Sequence, residues 1–598
     1  MKRFAIISLL LCLAYGTAQA TMRLDLNEDG AVNILDVLAF LAHLTGQKPI
    51  PDAESEYIVP ADNGQDTIPL DGFIAPEELS QVAPLDSVYD LPIGTEMVVR
   101  TVWRGTKPQD FVVKYFGIVD IVNSSFPMIL LEASDPRLVQ LGGAVAGMSG
   151  SPIIYNEKIV GALSWSFTSQ AYPPFYFFAT AIEDMLNPPY AAPSLASSRP
   201  LEYRGNRLAP IGISMMGHGF SPELQQKLVE KYPDVHVDFL ENNATGLTDI
   251  TPALIPGGAI GVSLVVGEEV NYTGVGTVTF VDEEKVYAFG HSMEQYGNTE
   301  LPFVAAEITS IISSLDNAFK IGKVGNEVLG TIYYDGFPCI IGEIDRQPDL
   351  FDTELVAHLL DGQVLTQQHR VAQVGLSDFE KYLYSATALF SPPLNRLDNY
   401  LGYSVRMRTE IIFEETALEQ VDRTVVFTDP NMGILELILE GADDYLTTGD
   451  RLTFQQFTDP TPERVKLEME VVDSVLSALI TDMEIDSILA PGDQVIAVVK
   501  MIVARNEERE ISVTLDIPWD FPQGIYFVTA APLGYFFEGD PPSGMDEIID
   551  ELNRGLQNTA FSVRLNGFNY DELSVDSEDL GLVLTGEATK KIEIKTGE

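Results

Sequence analysis

The stretch that most restricts this 598-residue chain is Gly142–Phe167, GGAVAGMSGSPIIYNEKIVGALSWSF. Small residues crowd Ser149 from both sides, with Gly147-Met148 before it and Gly150-Ser151-Pro152 after it. Glycine accepts positive φ, so the backbone here can turn sharply and aim amide N–H groups at an oxyanion forming beside the hydroxyl. Ile153-Ile154-Tyr155, a turn at Asn156-Glu157 and the apolar run Ile159–Leu163 follow at once, which predicts a β-hairpin directly after the loop. Two readings fit the loop itself: an activated serine, or a Gly/Ser turn joining two strands.

The flanking sequence is also strand-like. Met97–Trp103 and Phe111–Val122 are apolar or alternating and are separated by the turn-like Arg104–Asp110. Phe175–Thr180 reads as a strand and Ala181–Leu186 as a short helix. Ser134-Asp135-Pro136 has the form of a helix start, Asp capping and Pro in the first turn. Gly274–Met293 reads as strand, acidic turn, strand, ending in Gly290-His291. A single histidine after a strand is commonly structural. His218, between glycines in M-M-G-H-G-F, is a competing base, and His236 has a surface context.

G-M-S-G-S-P followed by a hairpin resembles the nucleophile motif of the SpoIVB peptidases, the S55 serine peptidases. It is also similar to the G-D-S-G-G-P loop of chymotrypsin-like peptidases, with Met148 in place of the aspartate. Arg104-Gly105-Thr106-Lys107-Pro108, the G-T-hydrophobic-T strand leading to Gly290-His291, Asn317-Ala318-Phe319-Lys320 and Val328–Asp335 carry the resemblance from about Leu91 to about Gly342. It implies a secreted serine endopeptidase working through an acyl-enzyme, with self-cleavage within its scope. Ser149 would be the nucleophile and His291 the general base. Asp135, matching the family's D-P-x-L segment, would accept the imidazole Nδ1–H, and the amides of Gly147 and Ser149 would form the oxyanion hole. No metal is needed for that chemistry. The namesake's order is His, Asp, Ser; here Asp135 and Ser149 precede His291, which implies a circularly permuted or rearranged barrel. The alternative is a non-catalytic exported protein, a binding or surface-assembly scaffold of the same fold.

Outside this block the chain divides by composition. Met1–Ala20 has Lys2 and Arg3, an apolar run Phe4–Leu13 and Ala18-Gln19-Ala20, the pattern of a secretory signal peptide. This places the protein outside the cytoplasm, secreted, periplasmic or at the cell surface. No later segment is apolar and long enough to span a bilayer, so an integral membrane protein is not expected. Past the leader only Cys339 remains, so no intramolecular disulfide is expected, and its apolar neighbours predict a core position. A net charge of −52 repels phosphate backbones and argues against nucleic acid as a partner.

Asp25, Asn27, Asp29, Ala31 (through its carbonyl), Asn33 and Asp36 stand at positions 1, 3, 5, 7, 9 and 12 of a calcium loop, with Gly30 at the turn. An amphipathic helix follows. The other reading is an acidic N-cap leading into an ordinary helix. D-L-N-E-D-G resembles one repeat of a type I dockerin, an EF-hand-like unit. This implies structural Ca2+, a cohesin-like or cell-surface partner and a setting in polysaccharide breakdown, although dockerins carry two such repeats. Residues 47–86, rich in proline and acids, read as a linker, residues 87–345 as the peptidase domain and 346–450 as a β-rich extension. Residues 451–598 read as a β-sandwich-like domain, from alternation at Val465–Val471 and Ile511–Ile517. The expected fold class is mainly β, with protein or peptide as substrate.

Overall fold

The computed structural model describes residues 82–595 apart from 171, 189–199, 233–249, 251–253, 295–296, 314–317, 459, 505, 537–541, 556–557 and 567–572. The expected leader, the six expected calcium ligands and most of the expected linker lie outside the described residues. Among the described residues no helix is long and apolar enough to cross a membrane.

The chain is mainly β, and its first strands close on themselves. β1 (Glu96–Val102), β2 (Pro108–Val119), β3 (Met128–Ala133), β5 (Pro152–Tyr155), β6 (Lys158–Phe167) and β7 (Phe175–Ala181) pair antiparallel in the ring β5-β1-β2-β3-β7-β6 and back to β5. Alternation decides which side chains face inward. Met97 and Val99, Phe111 and Val113, Ile129 and Leu131, and Phe175, Phe177 and Ala179 meet in one buried core. A closed ring leaves no strand edge open inside it. Between β3 and β5 lie a short helix, α1 (Pro136–Leu141), and the two-residue strand β4 (Val145–Ala146); β8 (Glu202–Tyr203) and β9 (Asn206–Pro210) extend the sheet from β6.

A second antiparallel ring follows: β11 (Ala259–Gly267), β12 (Asn271–Asp282), β13 (Lys285–Ala288), β16 (Cys339–Ile344), β15 (Ala318–Gly336), β14 (Gly297–Ile312) and back to β11. Its interior is fitted around Phe303. A Cβ on Gly330 or Gly342 would lie 2.6 or 3.1 Å from the Phe303 ring, so both positions are kept bare for it. β10 (Ser214–His218) pairs with β12 and carries His218 at its end.

The two barrels share an apolar face. Ile154, Ile159, Ala162 and Met185 from the first pack with Phe280, Tyr287, Cys339 and Ile341 from the second. Cys339 is fully buried there, as its sequence context predicted. β4 also pairs in parallel with the start of β15, stitching the segment before Ser149 to the second barrel.

The expected boundaries after 345 and 450 do not divide the chain. β18 (Val364–Ala372) pairs with β11, and the sheet runs on through β17 (Leu350–His358), β21 (Pro462–Val472), β19 (Ser404–Phe413) and β20 (Val421–Thr428). Two helices, α2 (Asp378–Leu394) and α3 (Ile434–Thr453), contribute to the same core, and α3 runs across residue 450. The alternating Val465–Val471 segment, expected in the C-terminal sandwich, pairs in parallel with β17 instead. The sandwich itself starts later. A four-stranded sheet that includes Ser477–Glu484 and Gln494–Val503 shares one core with a five-stranded sheet that includes Gly524–Pro532 and Phe561–Asn566. Phe303→Ala should lower the unfolding free energy by about 3–5 kcal/mol, read by denaturant titration, because the glycines around the ring leave nothing to fill the cavity.

Candidate active site

Ser149 sits in the turn between β4 and β5, and both barrels hold that turn. From its own barrel, Gly150 N–H donates to Leu163 O (2.8 Å) and Leu163 N–H to Ser151 O (2.9 Å). From the second, Thr277 N–H donates to Ser149 O (2.9 Å), Thr277 Oγ1 to Gly147 O (2.9 Å) and Thr279 Oγ1 to Gly150 O (2.7 Å). Gly150 has φ +89°, and a Cβ there would stand 2.2 Å from Thr277 O and 2.4 Å from Phe289 N. No other residue fits that position.

His291 follows β13 through Phe289 and Gly290, both at positive φ (68° and 69°). Gly290 O accepts from Thr180 Oγ1 of the first barrel at 2.7 Å, and Thr180 Oγ1 in turn accepts from Ser164 Oγ at 2.9 Å. The two left-handed residues swing the chain off the hairpin and lay the imidazole against the nucleophile loop. The result is Ser149 Oγ 2.7 Å from His291 Nε2, across 142 residues of sequence. On the other side of the ring, Nδ1 lies 2.6 Å from the carbonyl oxygen of Ser292. A carbonyl can only accept, so Nδ1 carries the proton in the neutral ring and Nε2 offers its lone pair to the Ser149 hydroxyl. Burial lowers the His291 pKa to about 4, against a smaller opposing effect of the Ser292 carbonyl. Trp165 closes over it edge-on, its ring centroid 5.9 Å from that of the imidazole.

Three expectations meet different geometry. Asp135 does not reach the imidazole. It caps α1, its Oδ1 accepting from Arg137 N–H at 2.9 Å, and both its oxygens pair with the Arg137 guanidinium at 3.0 Å. Partial burial opposes its ionisation, but the Arg137 hydrogen bonds outweigh this and hold the carboxyl below its usual range. The capping reading of Asp-Pro is therefore the one the geometry bears out. The Gly147 amide is engaged as well, donating to Gly212 O at 2.9 Å, so of the two amides expected in the oxyanion hole only Ser149 N–H lacks an acceptor among the described residues. His218 is not the ring that meets Ser149.

Gly212 was not singled out from sequence. Its carbonyl accepts from both Gly147 N–H and Ser149 Oγ (2.9 Å), and it covers Ser149, which has no exposed surface. Lys320, the last residue of the Asn317–Lys320 motif, is a second residue of this kind. It is fully buried, its stem packs against Gly147, and its Nζ donates to Thr101 Oγ1 at 2.8 Å. Burial lowers its pKa to about 7. Among the described residues no group of three or more His, Cys, Asp or Glu is arranged to hold a metal.

In comparison with known proteins, the family model described as SpoIVB peptidase S55 matches residues 78–186. The match takes in the first barrel, Asp135 and the Ser149 loop, and it ends before His291. It supports a peptidase domain, of serine type by the family's name, in that part of the chain. No curated protein and no solved structure matches.

Two outcomes follow from the geometry. Gly150→Ala should destabilise the fold by about 1–3 kcal/mol from backbone strain alone, more with the clash, read by thermal melting. Reactivity of Ser149 toward a fluorophosphonate should stay flat as pH falls through 6.5 and drop only near pH 4. An imidazole takes a proton only in its neutral form, and the lowered pKa of His291 keeps it neutral down to that pH.

Proposed function

We propose that this chain is an exported serine endopeptidase in which Ser149 is the nucleophile and His291 the general base. The observation that carries the reading is the buried Ser149 Oγ to His291 Nε2 contact of 2.7 Å, with Nδ1 held by a carbonyl. Nε2 takes the hydroxyl proton as Oγ attacks the peptide carbonyl carbon. The tetrahedral oxyanion falls to Ser149 N–H, joined by Gly147 N–H once the Gly212 carbonyl has moved off it. His291 then returns the proton to the leaving amine as the C–N bond breaks, and water releases the acyl group by the same route. Substrates are proteins or peptides, and the chain's own Gly212 region, already beside Oγ, makes cleavage in cis part of the proposal.

The burial of Ser149 under Gly212 favours one other reading, a binding scaffold that keeps the barrel and does no chemistry. Fluorophosphonate labelling of the wild type, Ser149→Ala and His291→Ala separates the two. The peptidase reading expects labelling of the wild type, none in Ser149→Ala, and a rate about 10²–10⁴-fold lower in His291→Ala. Intact mass on the same samples would show a cut near Gly212 made by the wild type and not by Ser149→Ala. A wild type left unlabelled across pH and mild denaturant hands the fold to the scaffold reading.

Met1–Ala20 directs export, and the Asp25–Asp36 loop binds Ca2+ and contributes to docking on a cohesin-like or cell-surface partner. Calcium serves that loop and not the chemistry, so chelation with EGTA should leave the labelling rate of Ser149 unchanged.

A further inference from the structure

The imidazole of His291 needs a group that fixes its tautomer and favours its charged form during transfer, and Asp135 is elsewhere. The described residues offer a different carboxylate. Asp335, near the end of β15, is fully buried, and its two oxygens accept from consecutive backbone amides: Oδ1 from Met293 N–H at 2.7 Å and Oδ2 from Glu294 N–H at 2.9 Å. Met293 N–H and Ser292 C=O belong to one peptide group. In a trans peptide these two point in opposite directions. One face of that planar unit therefore meets a carboxylate, while the other meets His291 Nδ1 at 2.6 Å.

We propose that Asp335 is the positioning residue for His291, acting through the Ser292–Met293 peptide. The line runs from carboxylate to N–H, across the amide to C=O, and on to Nδ1–H. Accepting the N–H draws electron density toward the Ser292 oxygen, and hydrogen bonds in series strengthen one another. The carbonyl then becomes a better acceptor for Nδ1–H than an isolated amide. The second bond, to Glu294 N–H, fixes the rotation of the loop, so the carbonyl cannot turn away from the ring. A direct Asp–His contact would place a charged carboxylate against the imidazole. Here one neutral amide stands between, and the charge stays bound to two backbone donors.

The inference rests on the Ser149–His291 reading for its catalytic meaning, but its test need not. The chain has six histidines, so 15N-histidine labelling gives a simple ring spectrum, with His291 assigned from His291→Gln. The wild type at neutral pH should show His291 with its proton on Nδ1, and the Met293 amide should be protected from exchange. In Asp335→Asn, the carboxamide can accept one N–H but turns its own NH2 toward the other. The ring should then populate both tautomers, and labelling should slow about 10²-fold, as for a misplaced catalytic group.

An unchanged Nδ1–H tautomer and rate in a folded Asp335→Asn would overturn the proposal. If that variant does not fold, the wild type alone decides, and an Nε2–H ring or a freely exchanging Met293 amide overturns it. A wild type that carries the Nδ1 proton and the protected amide, and loses the tautomer in Asp335→Asn, yet never labels, upholds the role of Asp335 and removes Ser149 as nucleophile.

Discussion

The site depends on how closely the two barrels approach at Gly150. Thr277 O and Phe289 N stand where a side chain of any other residue would begin, and the Thr277 and Thr279 hydroxyls cross the seam to the carbonyls of Gly147 and Gly150. This contact sets the height of the nucleophile loop above β12. The turn that carries His291 leaves the adjoining strand, so one close approach fixes both members of the pair. The apolar face of Ile154, Ile159, Phe280 and Tyr287 supplies the adhesion, and the backbone bonds at Gly150 supply the register.

Burial does the electrostatic work. Taking the His291 ring out of water lowers its pKa from 6.5 to about 4, a bias toward the neutral form of roughly 3 kcal/mol. A neutral imidazole is a competent proton acceptor, yet in the proposed role it would have to become charged in the transition state. The cost of that charge has to be met by groups already in place, and the Ser292 carbonyl is the one in contact. Gly212 adds a further constraint. Its carbonyl competes with His291 for the single hydroxyl proton of Ser149, at 2.9 Å against 2.7 Å, so the resting geometry favours the imidazole only slightly.

Much of this was legible in the sequence, and the failures have physical reasons. The hairpin after Ser149 was read with its turn at Asn156-Glu157, and it forms as β5 and β6, because alternation and a short turn are local signals. Phe175–Thr180 and the strand pair leading to His291 were equally local. Asp135 was misassigned because an Asp-Pro pair satisfies both a helix cap and a family pattern, and only the position of Arg137 decides between them. α2 was missed although Ser377-Asp378-Phe379-Glu380 spells a capping box that forms; Pro392 and Pro393 at its far end pointed away from a helix. Asp335 carried no local signal. Its partners lie more than forty residues earlier in the chain, and they are set by the register of β15 against its neighbours.

The separation of 142 residues between Ser149 and His291 also has a kinetic side. Contacts this distant in sequence form late, because the loop between them must close before they return any energy. Neither barrel contains both groups, so until the second ring has formed Ser149 is an ordinary hydroxyl. On the proposed reading, reactivity would begin only with the docking of the second ring onto the first. The order of the barrels along the chain would then act as a timer: the half with Ser149 is made first and would stay inert until the half with His291 has folded against it.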